Sequence, residues 1–124
     1  MAESEMIFVY NADSGLWNGF LDLVHKNVSP ETYACSLCAL TYNNLGMRGR
    51  WREFVNSLPL PVRFLHRDEL EEEFKLVDVQ LPAAYLHCGN AVTEWMSAGE
   101  FDQQESLDGL IAFVAAKATA LPSC

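Results

Sequence analysis

Cys35 and Cys38 stand three positions apart in "YACSLCALTY" (33–42), in a 124-residue chain with four cysteines. That spacing permits three chemistries. The pair can exchange a disulfide, Cys35 attacking as the thiolate and Cys38 resolving the mixed intermediate. It can supply half of a tetrahedral zinc site, completed by His25 and by His87 or Cys88. Or it can be two small core residues, because free cysteine is among the most buried residue types. The pattern His-x9-Cys-x2-Cys, with a last donor about 50 residues on, is no standard zinc signature. His87 and Cys88 are neighbours on one strand and point to opposite faces, so at most one of them faces such a site.

A second set of candidates gathers around "NADSG" (11–15). Asn11, Asp13, Ser14 and Gly15 follow the first strand, while His66, Arg67 and Asp68 leave the next parallel strand on the same side. With Pro82 nearby, Asp13, Ser14 and His66 would line a cleft able to hold a small anion at a helix N-terminus. The plainer alternative is that Asp13 and Ser14 cap the first helix and Asp68 caps the next. Arg48, Arg50 and Arg52 could hold one phosphate or carboxylate, but the same alternation makes the solvated side of a helix. "ELEEEF" lacks the glycine-turned oxygen loop of a divalent-cation site. No Gly-x-Ser-x-Gly elbow exposes a serine, and "NADSGLWN" has neither the second glycine nor the lysine of a phosphate-binding loop.

Eight basic residues against seventeen acidic ones leave a formal charge of −9, which opposes contact with nucleic acid or an anionic membrane. No apolar run approaches the roughly 18–20 residues needed to cross a bilayer, and "MAESEM" lacks the basic start and apolar body of a secretory signal. The expectation is a cytoplasmic protein with thiols kept reduced, no nucleic-acid or membrane partner, a protein thiol as candidate partner, and no cofactor beyond the zinc option.

The elements that must position these residues alternate in type. "MIFVY" (6–10) is an apolar, β-rich run of the kind buried in a parallel sheet. Leu16, Phe20, Leu23 and Val24 then recur at helical spacing. A helical insert from Ser29 to about Gly46 carries the cysteine pair, with Ser29 as cap and Pro30 at a first helical position. Trp51, Phe54, Val55 and Leu58 mark another helix, ended by Pro59 and Pro61. "VRFLH" (62–66) reads as a strand and "RDELEEEF" (67–74) as a short helix. Pro82 opens a strand that turns at Gly89-Asn90 into its hairpin partner. Leu107, Leu110, Ile111 and Val114 stripe a last helix from about Gln104 to Ala118. The result is an α/β chain, one domain over 1–124, with a mixed sheet of about four strands and helices on both faces.

In order this is β-α-[α insert]-β-α-β-β-α. The order resembles the thioredoxin and glutaredoxin architecture, most closely over the last 40 or so residues, where "QLPAAYL", "CGN" and "AVTEWMSA" follow at similar spacing. In that family a proline, usually cis, starts the third strand at the active edge, and Pro82 matches it. The family's Cys-x-x-Cys opens the first helix of the fold, a place held here by "NADSG". The string "SPETYACSLCALTY" with "RFLHRDEL" is also similar to a group of small uncharacterised bacterial proteins that carry a Cys-x-x-Cys insert after the first helix. A first helix of about 13 residues is about 20 Å long. Cys35 and Cys38 are therefore expected across the sheet from Pro82, at the edge where His87 and Cys88 end the third strand. The leading expectation is thiol redox chemistry or sensing by this displaced pair; the alternative is a non-enzymatic binding module with a structural or zinc-binding pair.

Overall fold

A computed structural model of the protein describes residues 4–16, 36–43 and 46–121. The expected helix over Leu16 to Val24, His25 and Cys35 lie outside the described residues, apart from a short 3-10 turn at Ser14–Leu16.

The sheet has four strands: β1 (Ser4–Tyr10), β4 (Val62–His66), β5 (Ala83–Cys88) and β6 (Ala91–Met96). Their order is β4-β1-β5-β6. β1 runs parallel to β4 and antiparallel to β5, and β5 pairs antiparallel with β6, so the sheet is mixed. Gly89, at φ +59°, takes the left-handed conformation that the tight turn between β5 and β6 requires. Between β1 and β4 lie α1 (Ser36–Thr41), a two-residue ribbon of β2 (Tyr42–Asn43) with β3 (Gly46–Met47), and α2 (Gly49–Asn56). α3 (Arg67–Phe74) follows β4 directly. After β6 come α4 (Ala98–Asp102) and α5 (Leu107–Ala118).

β1 is central, and five successive residues from Met6 to Tyr10 are buried on both faces. Alternation sorts them. Met6, Phe8 and Tyr10 face one core with Leu37 and Cys38 of α1, Trp51 and Val55 of α2, Phe101 of α4, and Leu110 and Val114 of α5. Ile7 and Val9 face the other, with Leu65, Leu81, Ala83, Tyr85 and Leu70 of α3. Helices thus cover both faces. The first core is aromatic: the Phe8 ring centroid lies 5.5 Å from that of Trp51 and 5.7 Å from that of Phe64. Such contacts contribute about 0.5–1.5 kcal/mol each beyond burial.

Two elements differ from the sequence-based expectation. The last helix begins at Leu107 rather than near Gln104, because Ser106 caps it by accepting from the Gly109 N–H at 3.0 Å. Before it stands the unexpected α4, set by Ser97 and Glu100. The Ser97 hydroxyl accepts from the Glu100 N–H, and the Glu100 carboxylate accepts from the Ser97 N–H at 2.9 Å.

Candidate functional site

The end of the sheet where β5 begins holds most of the cleft candidates. Val9 pairs with Ala83 and Tyr10 with His66, so Pro82 and His66 flank the end of β1. The Leu81-Pro82 bond is cis and Pro82 is buried. Around this rim the polar groups bind one another. The Ser14 N–H donates to Asp68 Oδ1 at 2.9 Å and its hydroxyl to Asp68 Oδ2 at 2.6 Å. Arg67 donates from Nε to Asp13 at 3.1 Å and from Nη1 to Asn11 at 3.3 Å, and its backbone N–H reaches the Ala12 carbonyl at 2.9 Å. The Ser14 hydrogen bonds hold the Asp68 carboxyl below the usual carboxylate range.

At this rim Asp68 occupies the Ser14 amide and Asp13 engages Arg67, while the expected helix beyond Leu16 lies outside the described residues. Asp68 does not cap α3. The N-cap is His66, whose backbone N–H and Nδ1 both lie 2.7 Å from Glu69 Oε1. Asp13, Ser14 and Asp68 latch the β1 loop onto α3.

The cysteine helix also differs from expectation. α1 is anchored at both ends from this same end of the sheet. The Ser36 hydroxyl donates to Asp102 of α4 at 2.8 Å, and α4 follows β6 where Met96 pairs with Ala84. Tyr42, next after α1, brings its hydroxyl within 3.4 Å of that of Tyr10. Burial, then Tyr42, raises the Tyr10 pKa. Cys38, fully buried, therefore sits on a helix tied to the Pro82 end, not across the sheet from it.

Cys38 and Cys88 are both disulfide-bonded, in contrast to the free thiols expected of a reducing compartment. Disulfide sulfurs are not thiolates, and the thiolate is the metal ligand. Among the described residues no three His, Cys, Asp or Glu side chains are grouped to hold a metal, and the expected set of Cys35, Cys38, His25 and Cys88 has two members outside them. Cys88 pairs with Ser4 at the far end of β5.

That far end carries a polar row the sequence reading missed. Glu5 lies opposite His87, and its carboxylate accepts from Arg63 Nε at 2.9 Å through Oε1 and meets His87 Nδ1 at 2.7 Å through Oε2. Arg63 also grips Glu73 of α3 with both terminal nitrogens. The Phe74 ring meets the His87 ring edge-on at 5.0 Å. Arg63, foremost by its hydrogen bond, lowers the Glu73 pKa. The available signal was strand parity: Glu5, Arg63 and His87 share one face with Ile7, Leu65 and Tyr85.

Of the expected arginine cluster, Arg50 meets the Asp108 carboxylate and Arg48 Nη1 donates to the Leu40 carbonyl at 3.2 Å. This is the helix-surface alternative. No helix among the described residues is long and apolar enough to cross a membrane. Taken together, the fold defines an α/β protein with a four-stranded mixed sheet, latched at one end and bearing a charged row at the other. Comparison with known proteins adds no narrower class: no family model, no curated protein and no solved structure matches the chain.

Proposed function

We propose that this is a thiol redox protein of thioredoxin-like architecture, with Cys35 and Cys38 as its working pair. The observation that carries the reading is the state and address of Cys38: oxidised, buried, and on a helix anchored at the end of the sheet where the cis Leu81-Pro82 bond opens β5. The strand order, with a parallel neighbour on one side of β1 and an antiparallel hairpin on the other, supports the same architecture.

In the reducing direction the Cys35 thiolate attacks a sulfur of a partner's disulfide. One sulfur–sulfur bond forms, the partner's bond breaks, and one partner thiolate leaves. The Cys38 thiolate then attacks Cys35, closing the intramolecular disulfide and releasing the second partner thiolate. Two electrons pass from the pair to the partner disulfide, and the partner thiolates take protons from water. The buried Cys38 suits the resolving step, which is intramolecular. The partner is a protein thiol or disulfide; nucleic acid and anionic membrane fit poorly with a charge of −9. In a cytoplasmic protein such a disulfide would be a transient of the cycle.

Peptide mapping of the oxidised protein, followed by titration against glutathione, tests this. A Cys35–Cys38 linkage that opens and recloses reversibly, and is lost in Cys35→Ser, is expected. A Cys38 linked elsewhere, or two thiols titrating like ordinary cysteine near pKa 8.5, would overturn it.

A second reading, a non-enzymatic interaction module with structural disulfides, is favoured by one observation: Cys88, outside the pair, is oxidised as well. Zinc on Cys35, Cys38, His25 and Cys88 would require those sulfurs reduced first. Metal content of the reduced protein, well below one zinc per chain, would remove that option.

A further inference from the structure

β4 is an outer strand of the sheet, and its outer side pairs with no strand among the described residues. The Met6 N–H donates to the Pro61 carbonyl at 2.8 Å, so residues 61, 63 and 65 turn their backbone groups toward β1. Val62 and Phe64 therefore turn their N–H and C=O outward. The same parity turns the His66 N–H outward, where Glu69 Oε1 caps it at 2.7 Å. Pro61 is turned inward, so it does not blunt the outer edge as an edge proline otherwise would. Beside this edge a recess of about 450 Å³ is lined by Arg63, Leu65, Glu69, Glu72 and Glu73. We propose that β4 and this recess together dock an extended polypeptide segment of a partner protein, added as a further strand and carrying lysine or arginine at alternate positions.

Charge selects the basic residues. Three carboxylates line the recess against the one guanidinium, and they outnumber the cations whatever the charge on His66. Arg63 is engaged by Glu5 and Glu73. Glu72 is exposed, and its carboxylate meets no cation among the described residues; Lys75 Nζ goes instead to the Glu72 carbonyl at 2.9 Å. An incoming ammonium or guanidinium thus finds an unmatched carboxylate, whereas an incoming carboxylate finds no uncommitted cation in the recess. Alternation sets the other positions. Arg63 and Leu65 face α3, while Val62 and Phe64 pack on the aromatic core and stay only partly buried. Side chains of an added strand alternate in step with these. Its basic residues fall beside Glu69 and Glu72, and apolar ones between them fall beside Val62 and Phe64. The docking strip does not depend on the redox pair.

The test is an NMR titration of the whole protein with an N-acetylated, C-amidated hexapeptide of alternating lysine and valine, with alternating glutamate and valine as the counterpart. Saturable shifts centred on the Val62 and Phe64 amides and on Glu69 and Glu72 are expected with the lysine peptide and not with the glutamate one. A strand pairs through one alternate set of its amides, so N-methylating that set should weaken binding about tenfold and methylating the other set should not. Glu72→Lys reverses an exposed charge without touching the core and should weaken binding about threefold to tenfold. Absence of saturable shifts, shifts centred elsewhere, an equal response to the glutamate peptide, equal loss from methylating either set, or unchanged affinity in Glu72→Lys would overturn the assignment.

Discussion

The two ends of the sheet are built from the same kinds of residues and used differently. At the Pro82 end, Asp13, Ser14, Arg67 and Asp68 bind one another in pairs across the gap between the β1 loop and α3. At the Cys88 end, one carboxylate, Glu5, is shared between Arg63 and His87, and the row opens onto a recess. Paired groups make a latch, and a latch has little left for a ligand. A shared carboxylate leaves the imidazole oriented, with a ring nitrogen to spare. What separates the two polar clusters here is the ratio of partners to groups, not residue type.

The largest effect that would break this contrast comes from the cysteines. The nearest cysteine to Cys88 in sequence is Cys124, 36 positions away, so any disulfide made by Cys88 closes a long loop. On loop entropy alone Cys88→Ser should lower stability by about 3–4 kcal/mol in urea unfolding. The loop closed by the proposed Cys35–Cys38 link is only about four residues long, so Cys38→Ser should cost about 2 kcal/mol or less while abolishing the redox couple. Equal losses in the two variants would favour structural disulfides at both ends.

A smaller effect sharpens the contrast directly. Glu5→Gln removes the charge shared by Arg63 and His87 and should cost about 1 kcal/mol, discounted for partial exposure, by thermal or urea melts. Ser14→Ala loses one of two bonds to Asp68 at an exposed site and should cost about 0.5 kcal/mol. A latch stronger than the shared row would reverse that order.

How far the sequence foretold these ends depends on the range of the forces involved. Local signals were legible: "VRFLH", "RDELEEEF" and the strands flanking Gly89-Asn90 occupy the spans expected, because turn chemistry and alternation act within a few residues. The Ser97-x-x-Glu100 capping box was equally legible and was overlooked, hidden by the strand pattern just before it. The two-residue strands β2 and β3 have no period to read. The latch and the charged row depend on register between distant segments: Ser14 meets Asp68 and Glu5 meets His87 only because β1, β4 and β5 align as they do. Asp13, Ser14, His66 and Pro82 lie at one end of the sheet by strand register, and α1 with Cys38 is anchored at that same end by side-chain contacts that spacing alone does not encode.

The smallest expected effect distinguishes the physical causes at the two ends. Asp68 and Glu73 both have folded pKa values below the ordinary carboxylate range, the first through Ser14 hydrogen bonds, the second chiefly through Arg63. A depressed folded value means a stabilising contribution fully present above the unfolded pKa, near 4, and lost as pH falls through the folded value. Both groups are well exposed, so each contribution is a few tenths of a kcal/mol after screening. Stability should therefore fall between about pH 5 and pH 2, and Asp68→Asn and Glu73→Gln should each flatten part of that fall. Salt separates them. At about 1 M NaCl the screening length is roughly 3 Å, so the Arg63–Glu73 attraction shrinks, whereas hydrogen bonds from a neutral serine carry no ionic charge to screen. In high salt the acid profile of Glu73→Gln should merge with that of the unmodified protein, and that of Asp68→Asn should stay distinct. If both merged, the Ser14–Asp68 contact would be an electrostatic accident of the surface rather than a latch, and the difference between the two ends would vanish with it.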